Sequence, residues 1–193
     1  MEAVVHAARN EQWPARIVAV ISNKADATGL EFAAANGIAT AVVPNRAFAS
    51  RDAFDAALQA EIDTFAPDLV VLAGFTRILT PGFVDHYAGR LLNIHPSLLP
   101  LFPGLHTHRQ ALDAGATVHG ATVHFVTAQL DHGPVVAQAT VEVLAGDTEE
   151  TLSARVLVQE HTLYPHAIGL FVQDRLCIDN GTVRIAAPAD MIT

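Results

Sequence analysis

The sequence contains a single cysteine, Cys177, among its 193 residues. One thiol cannot form a disulfide within the chain, and scarcity of cysteine is typical of proteins from reducing compartments, so we expect a cytoplasmic location. Long apolar runs are also missing, because the longest, such as LVVLAGF at residues 69–75, have the length of a buried strand and not the roughly 20 residues that span a bilayer. The first residues lack the basic region and apolar stretch of a secretory signal. We therefore expect no membrane partner.

Basic residues are also scarce in this sequence. Eleven Lys and Arg residues stand against twenty Asp and Glu residues, which gives a formal net charge of −9. Such a chain cannot neutralise a row of backbone phosphates, so we expect no nucleic-acid partner. Individual Arg side chains can still bind one small phosphorylated ligand, since binding depends on the local site. About half of the residues are apolar, 51%, which is typical of a compact domain, and we predict one domain over residues 1–193.

The first half of the chain alternates between strand and helix patterns. Unbroken apolar runs at residues 16–23 and 67–75 predict strands that are buried on both faces of a parallel sheet. Further strands are predicted at 39–43 and 90–94, and helices at 26–36, 50–65 and 81–87. This order predicts an α/β fold with an open, mostly parallel, Rossmann-like sheet and helices on both faces. Ligands of such sheets bind beyond the carboxyl ends of the strands.

The second half departs from this alternation. A helix at 106–114 precedes two strands, 119–126 and 133–143, which predict antiparallel additions joined by the loop 127–133. A long helix at 147–172 is predicted to be broken or bent near Pro165, and Asn180 and Gly181 predict the turn of a closing hairpin. The chain begins with a helical pattern at residues 1–10, where a doubly wound domain ordinarily begins with a strand.

Asn93 and His95 are the first candidate functional residues. They lie two positions apart at the end of a predicted strand, and Pro96 biases the chain after them toward extended geometry. An amide can donate a hydrogen bond to a developing oxyanion, and an imidazole can do the same or transfer a proton. The residues alone are equally compatible with a structural strand end.

Three other features have two readings each. Asp131, in the segment LDHGP, is either a turn former or a carboxylate partner for His95. The loop AGFTRIL at residues 73–79 suits a flat heteroaromatic ring recognised through backbone hydrogen bonds, or is only the start of the next helix. The ten histidines fit no standard zinc spacing, so we expect no metal and assign most of them to surface or packing roles.

Six segments together resemble the phosphoribosylglycinamide formyltransferase family, the folate-dependent enzymes of purine synthesis. They are SNKADATGLEFAAANGI, APDLVVLAGFTRILTPGFV, GRLLNIHPSLLPLFPGLHTHRQAL, HGATVHFV, LDHGPVVAQ and QEHTLYP. The N-x-H, S-L-L-P and L-D-x-G elements also occur in methionyl-tRNA formyltransferases, whereas FPGLHTHRQAL is more specific to the purine enzymes. The resemblance implies the formyltransferase fold.

The resemblance also implies an activity and its residues. Family members transfer a formyl group from 10-formyltetrahydrofolate to the amine of 5'-phosphoribosylglycinamide, without a metal. Asn93, His95 and Asp131 match the catalytic trio, in which Asn93 and a protonated His95 stabilise a tetrahedral intermediate and Asp131 keeps His95 charged. The implied folate-binding residues are Arg51, Thr76, Arg77, Ile78, Leu79, Asn93, Val126, Thr127, Ala128, Gln129, Leu130 and Asp131. The implied substrate-binding residues are Pro96 and Glu160, the latter through ribose hydroxyls.

Two departures from the family pattern leave alternatives open. Leu157 stands where the family tends to have a polar residue. Family members also begin with a central strand and a glycine-rich S-G-x-G-S-N loop that holds the substrate phosphate, and residues 1–9 match the helix that follows it. We therefore expect an N-terminally truncated domain. We also expect the protein to be a monomer or a homodimer. The alternatives are a formyltetrahydrofolate deformylase, an enzyme similar to methionyl-tRNA formyltransferase, and an inactive folate-binding product.

Overall fold

The computed structural model describes residues 1–187, and its elements follow the predicted order closely. The first half contains α1 (Glu2–Asn10), β1 (Ala19–Ser22), α2 (Thr28–Ala35), β2 (Ala39–Val42), a 3-10 turn (Asn45–Ala47), α3 (Arg51–Asp63), β3 (Val70–Leu72), α4 (Pro81–His86) and β4 (Leu91–His95). The second half contains α5 (Thr107–Asp113), β5 (Val118–Phe125), β6 (Val135–Glu142), α6 (Glu149–Val172), β7 (Leu176–Asp179) and β8 (Thr182–Ile185). The α/β class is confirmed, and the 3-10 turn is the one element that was not predicted.

The strand pairing is parallel in the first half and antiparallel in the second. β1 pairs with β2 and β3 pairs with β4 in parallel, whereas β5 and β6 extend β4 as antiparallel strands and β7 forms a hairpin with β8. The expected open sheet is present as two separate ladders, β1-β2 and β3-β4-β5-β6, because no strand within residues 1–187 hydrogen-bonds to both β1 and β3.

Helix boundaries follow from capping side chains. The Ser50 hydroxyl accepts a hydrogen bond from the backbone of Ala53 at the start of α3, and Thr80 caps α4, which has Pro81 at its first position. α6 was predicted to be broken or bent near Pro165; it continues through this residue, so the break is wrong and the bend stays a prediction. A proline removes only one backbone donor from the helix, and Pro165 is buried in packing that stabilises the continuous helix.

β4 separates two apolar clusters. Leu91 belongs to the cluster under α3 and α4, and Leu92 belongs to the cluster that α6 covers. Successive strand residues point to opposite faces, so β4 is buried on both sides, as its unbroken apolar sequence predicts. None of the helices between residues 1 and 187 has both the length and the hydropathy to cross a membrane.

Candidate active site

A cavity of about 580 Å³ opens beyond the carboxyl ends of β3 and β4. Five segments line it: the loop 74–79 after β3, the end of β4 at 93–96, the loop 104–108 that enters α5, the loop 126–131 between β5 and β6, and one face of α6. This is the edge at which the sequence places ligand binding.

Most of the residues with predicted functions meet in this cavity. Those that line it are Asn93, His95, Pro96, Thr76, Arg77, Ile78, Leu79, Val126, Thr127, Ala128, Leu130, Asp131 and Glu160. Arg51 and Gln129 do not line the cavity. Arg51 lies at the first position of α3, and Gln129 is exposed on the loop after β5. The structure therefore brings Asn93, His95 and Asp131, the predicted catalytic residues, to one cavity and leaves Arg51 and Gln129 outside its lining.

The expected contact between His95 and Asp131 is present. His95 Nδ1 lies 3.6 Å from Asp131 Oδ2, and both side chains are 7% exposed. The same carboxylate oxygen accepts the backbone N–H of Gly104 over 2.8 Å. Asp131 thus links His95 to the loop 104–108, which also lines the cavity.

The contact of the second ring nitrogen of His95 shows which nitrogen carries a hydrogen. Its Nε2 lies 3.2 Å from the carbonyl oxygen of Phe102. A carbonyl can only accept, so Nε2 carries a hydrogen, and protonation at Nδ1 as well gives an imidazolium that faces the Asp131 carboxylate. The site can therefore hold a positively charged His95 with a compensating negative charge beside it.

His124 lies in the site beside Asn93, and the sequence analysis did not single it out. It pairs with Asn93 across the β4–β5 ladder and is 2% exposed, with Nε2 3.4 Å from the Asn93 amide nitrogen. Its Nδ1 donates to the Phe125 carbonyl oxygen over 3.0 Å, and burial lowers the pKa of His124, so Nε2 is a neutral acceptor. The Asn93 amide is held with one N–H toward His124. The alternation of polar residues along β5 predicts that Thr122 and His124 share one face of the sheet. That this face lies beside Asn93 and His95 follows only from the pairing of β5 with β4.

The proline-rich loop after β4 is anchored from β5 and β6. The Thr122 hydroxyl donates to the Ser97 carbonyl over 2.7 Å and accepts the Leu99 backbone N–H over 3.0 Å. Gln138 donates to the Leu99 carbonyl oxygen over 2.8 Å. These bonds hold the loop, which turns at residues 98–101, against β5 and β6.

The loop that carries Asp131 has an unusual backbone. Asp131 adopts a left-handed conformation with φ of 51°, a region that Asp tolerates better than most residues. Gly133 lies so close to β5 that a Cβ there would be 1.7 Å from the Phe125 carbonyl oxygen. The L-D-x-G element is therefore a geometric requirement for bringing the carboxylate to His95.

A pair of histidines joins the cavity wall at the start of α5 to the buried strand β5. His108 Nδ1 is 3.2 Å from His119 Nε2, and His119 is fully buried. Burial, reinforced by the neighbouring His108, lowers the pKa of His119 to about 4. His119 is packed in the interior, whereas His124 lies beside Asn93 at the cavity. Within residues 1–187, no three His, Cys, Asp or Glu side chains converge in a metal-binding arrangement.

The other end of the cavity is apolar. Ile78 and Leu130 are 57% and 53% exposed although both line the cavity, and Leu79 lies beside Ile78 in the loop after β3. Such side chains, together with the backbone of the loops 74–79 and 126–131, present an uncovered surface that a flat heteroaromatic ring would bury. The residues present therefore fit a pterin.

Glu160 provides an acidic group on the α6 wall. Its carboxyl is half-buried, and burial raises the pKa of Glu160. No described side chain forms an ion pair with it. One turn earlier on the same helix, the departure residue Leu157 lines the cavity as an apolar group that is 46% exposed. Hydroxyl donors are the natural partners of an unpaired carboxylate in this position.

The chain matches known proteins over most of its length. Residues 1–168 match the family model described as formyl transferase. A phosphoribosylglycinamide formyltransferase of Escherichia coli is 57% identical over 176 residues, which cover 91% of this chain and 83% of that protein. The crystal structure of glycinamide ribonucleotide transformylase 1 from Symbiobacterium toebii superposes with a TM-score of 0.92 at 47% identity, covering 96% of this chain and 88% of the other. A formyltetrahydrofolate deformylase from Pseudomonas syringae is more distant, at 27% identity and a TM-score of 0.87, covering 96% of this chain and 61% of the other.

Proposed function

The chain belongs to the formyl transferase family, and from this premise we propose that it transfers a formyl group from 10-formyltetrahydrofolate to the amine of 5'-phosphoribosylglycinamide, a step of purine biosynthesis. The observation that carries the proposal is the buried contact between His95 and Asp131, beside Asn93 in a cavity at the strand ends. The similarity to enzymes named for this reaction supports the choice of substrate.

10-formyltetrahydrofolate supplies the formyl group. The pterin would lie against Ile78, Leu79 and Leu130, where the exposed apolar side chains and loop backbone match a flat ring with hydrogen-bonding edges. Arg77 contributes to the same wall, with its guanidinium 5.1 Å from the centre of the Phe54 ring.

Asn93 and His95 stabilise the negative charge that develops on the formyl oxygen when the amine adds to the formyl carbon. The Asn93 amide has one hydrogen directed at His124, which leaves the other free to point into the cavity. His95 reaches the oxygen with Nε2 once the Phe102 carbonyl moves away, and that carbonyl belongs to the loop that leads into the cavity wall. Donors fixed in a site from which water is excluded account for the largest share of such catalysis.

Asp131 compensates the charge on protonated His95 and receives protons during transfer. The attacking amine must lose a proton and the folate nitrogen must gain one, so the pair works as an acid and a base in turn. Asp131 is 7% exposed and keeps its position through the Gly104 backbone. Low exposure strengthens its interaction with the imidazolium.

Glu160 and Pro96 form the substrate side of the site. The unpaired Glu160 carboxylate accepts hydrogen bonds from the ribose hydroxyls, and Pro96 lines the cavity beside His95. Leu157 supplies an apolar contact where the family tends to have a polar one, so recognition of the hydroxyls depends on Glu160.

The test is to incubate the protein with 10-formyltetrahydrofolate in the presence and absence of phosphoribosylglycinamide. We expect the formylated ribonucleotide to form, as detected by mass spectrometry, in an amount equal to the tetrahydrofolate released. Release of formate at the same rate without the ribonucleotide would instead identify a deformylase. Tetrahydrofolate binding without turnover would identify a folate-binding protein that is not an enzyme.

A further inference from the structure

The cavity loop after β3, residues 74–79, has no backbone support of its own. Within residues 1–187, none of its residues forms a backbone–backbone hydrogen bond. Its amide and carbonyl groups are therefore available to a ligand. The same property means that side-chain contacts from neighbouring elements must determine the shape of the loop.

Two adjacent residues of α3 hold the second half of this loop. The ring of Phe54 lies against the Arg77 guanidinium, 5.1 Å from the ring centre. The Asp55 carboxylate accepts the backbone N–H of Thr80 through Oδ2, over 2.6 Å. Thr80 also caps α4, so the bond to Asp55 fixes the point at which the loop ends and the helix begins. Ile78 and Leu79, which face the cavity, lie between these two anchors.

Asp55 is an unusual residue to find in the interior. It is 3% exposed, and no basic side chain among the described residues forms an ion pair with it. A carboxylate removed from water is costly unless it accepts hydrogen bonds, and its charge makes such bonds short and strong. The bond to Thr80 is therefore a strong constraint on the end of the loop.

We propose that Asp55 is a positioning residue for the folate, an inference that rests on the proposed function. Through Thr80 it holds the loop in the conformation that presents Ile78 and Leu79 to the pterin. Asp55 itself does not line the cavity, so it acts through the backbone and not by contact with the ligand. Without this anchor the loop populates other conformations, and the apparent affinity falls with the fraction of molecules that keep the binding conformation.

The test measures the dissociation constant of tetrahydrofolate by calorimetry for the wild type and four variants. We expect Asp55→Ala to bind it about five- to thirtyfold more weakly, because the loop loses a strong hydrogen bond. Asp55→Asn keeps an acceptor oxygen in the same place and should bind within about threefold of the wild type. Asp55→Glu keeps the charge but displaces the oxygen by one methylene, so it should bind more weakly than Asp55→Asn. Asp52→Asn is the control and should match the wild type, since Asp52 is exposed in the first turn of α3 and does not line the cavity.

Steady-state kinetics distinguish positioning of the folate from a general structural role. The KM for phosphoribosylglycinamide should stay unchanged in Asp55→Ala, because the loop 74–79 lies on the folate side of the site. An equal rise in this KM and in the folate dissociation constant would show a general loss of structure and would overturn the inference.

Two further results would overturn it while leaving the proposed function intact. One is wild-type affinity for tetrahydrofolate in Asp55→Ala. The other is tighter binding by Asp55→Glu than by Asp55→Asn, which would assign the effect to the charge, and this comparison stands even if Asp55→Ala does not fold. If the wild type binds no tetrahydrofolate, the proposed function fails and this inference fails with it.

Discussion

His124 lies directly across the β4–β5 ladder from Asn93 and holds the Asn93 amide nitrogen at 3.4 Å from its Nε2. The opposite nitrogen of the ring donates to the Phe125 carbonyl oxygen, so the acceptor on Nε2 is fixed by the backbone of β5. An asparagine amide has a donor end and an acceptor end, and a single well-placed acceptor decides which end faces it. His124 therefore positions the proposed oxyanion donor.

Replacing His124 by leucine is expected to lower kcat about ten- to a hundredfold, with a smaller effect on KM, because a misplaced donor costs rate more than binding. His124→Gln keeps an acceptor at this position and should recover part of the loss. Since His124 acts through Asn93, the double variant with Asn93→Ala should be no slower than Asn93→Ala alone. Steady-state kinetics on the four proteins make the comparison, and losses that simply multiply would refute this relation.

Asp131→Asn tests the role of the buried carboxylate. The amide still accepts the Gly104 backbone N–H, so the loop keeps its contact, but no negative charge faces His95. We expect kcat to fall by about a hundred- to a thousandfold, as when an oxyanion donor is lost, since a charged His95 is no longer compensated. An unchanged thermal unfolding midpoint would show that the loss is chemical. Near wild-type turnover in the variant would remove Asp131 from the mechanism.

Gly133→Ala tests the geometry of the loop that carries Asp131. An added Cβ would lie 1.7 Å from the Phe125 carbonyl oxygen, so the backbone must move. We expect a loss of about 1 to 3 kcal/mol in the free energy of unfolding, typical of overpacking, together with reduced turnover. Gly82→Ala is the matched control, because a Cβ at Gly82, in α4, meets nothing within 4 Å. Equal stability of the two variants in urea titrations would contradict the argument.

The sequence predicts single residues here better than it predicts their partners. Asn93 and His95 can be placed at a sheet edge because an apolar strand ends there and prolines follow. Their relation to Asp131 cannot be read from spacing, since 36 positions separate it from His95, and it enters through the resemblance to a family. His124 is one of ten histidines, and only the register of β4 on β5 distinguishes it. Strand periodicity is a local property, whereas pairing register depends on the whole fold.

In α6 the sequence-based prediction failed because a local preference was overridden by the fold. Pro165 disfavours a helix locally, and the predicted break follows from that preference. The observed helix continues because its buried face contributes more than one missing hydrogen bond costs, since Leu163, Ala167 and Ile168 around the proline all belong to the core. Tertiary packing overrides local preference in such cases.

Acidification is expected to destabilise the protein through its buried histidines. Burial lowers the pKa of His119 to about 4 in the folded protein, against about 6.5 in the unfolded chain, and lowers the pKa of His108 and His124 in the same direction. The unfolded chain therefore binds more protons between these two values, and stability falls as the pH decreases from about 6.5 toward 4, by on the order of 3 kcal/mol for His119. Urea midpoints at several pH values give the slope. His119→Gln should flatten it even if the variant is less stable throughout, and an equal slope would contradict the assignment.

Tyr164 joins α6 to the strands that end at the cavity. Its hydroxyl lies 2.8 Å from the Leu72 carbonyl oxygen and 2.9 Å from that of Leu92, the residue before Asn93, and Tyr164 is 5% exposed. Tyr164→Phe is expected to cost about 1 to 2 kcal/mol in the free energy of unfolding, because buried carbonyl groups lose their shared donor. Turnover should fall as well, since Glu160 lies one helical turn away.

Tyr87→Phe is the matched control, because it removes a hydroxyl whose partner, the Asp63 carboxylate, is 41% exposed and can be hydrated instead. We expect this change to cost less stability than Tyr164→Phe and to leave turnover unchanged. Urea unfolding and steady-state kinetics on both variants make the test. A Tyr164→Phe protein with normal turnover would show that β3, β4 and α6 keep the cavity in place without this hydroxyl. Equal losses of stability in Tyr164→Phe and Tyr87→Phe would show that burial of the two carbonyl partners of Tyr164 does not strengthen its hydrogen bonds.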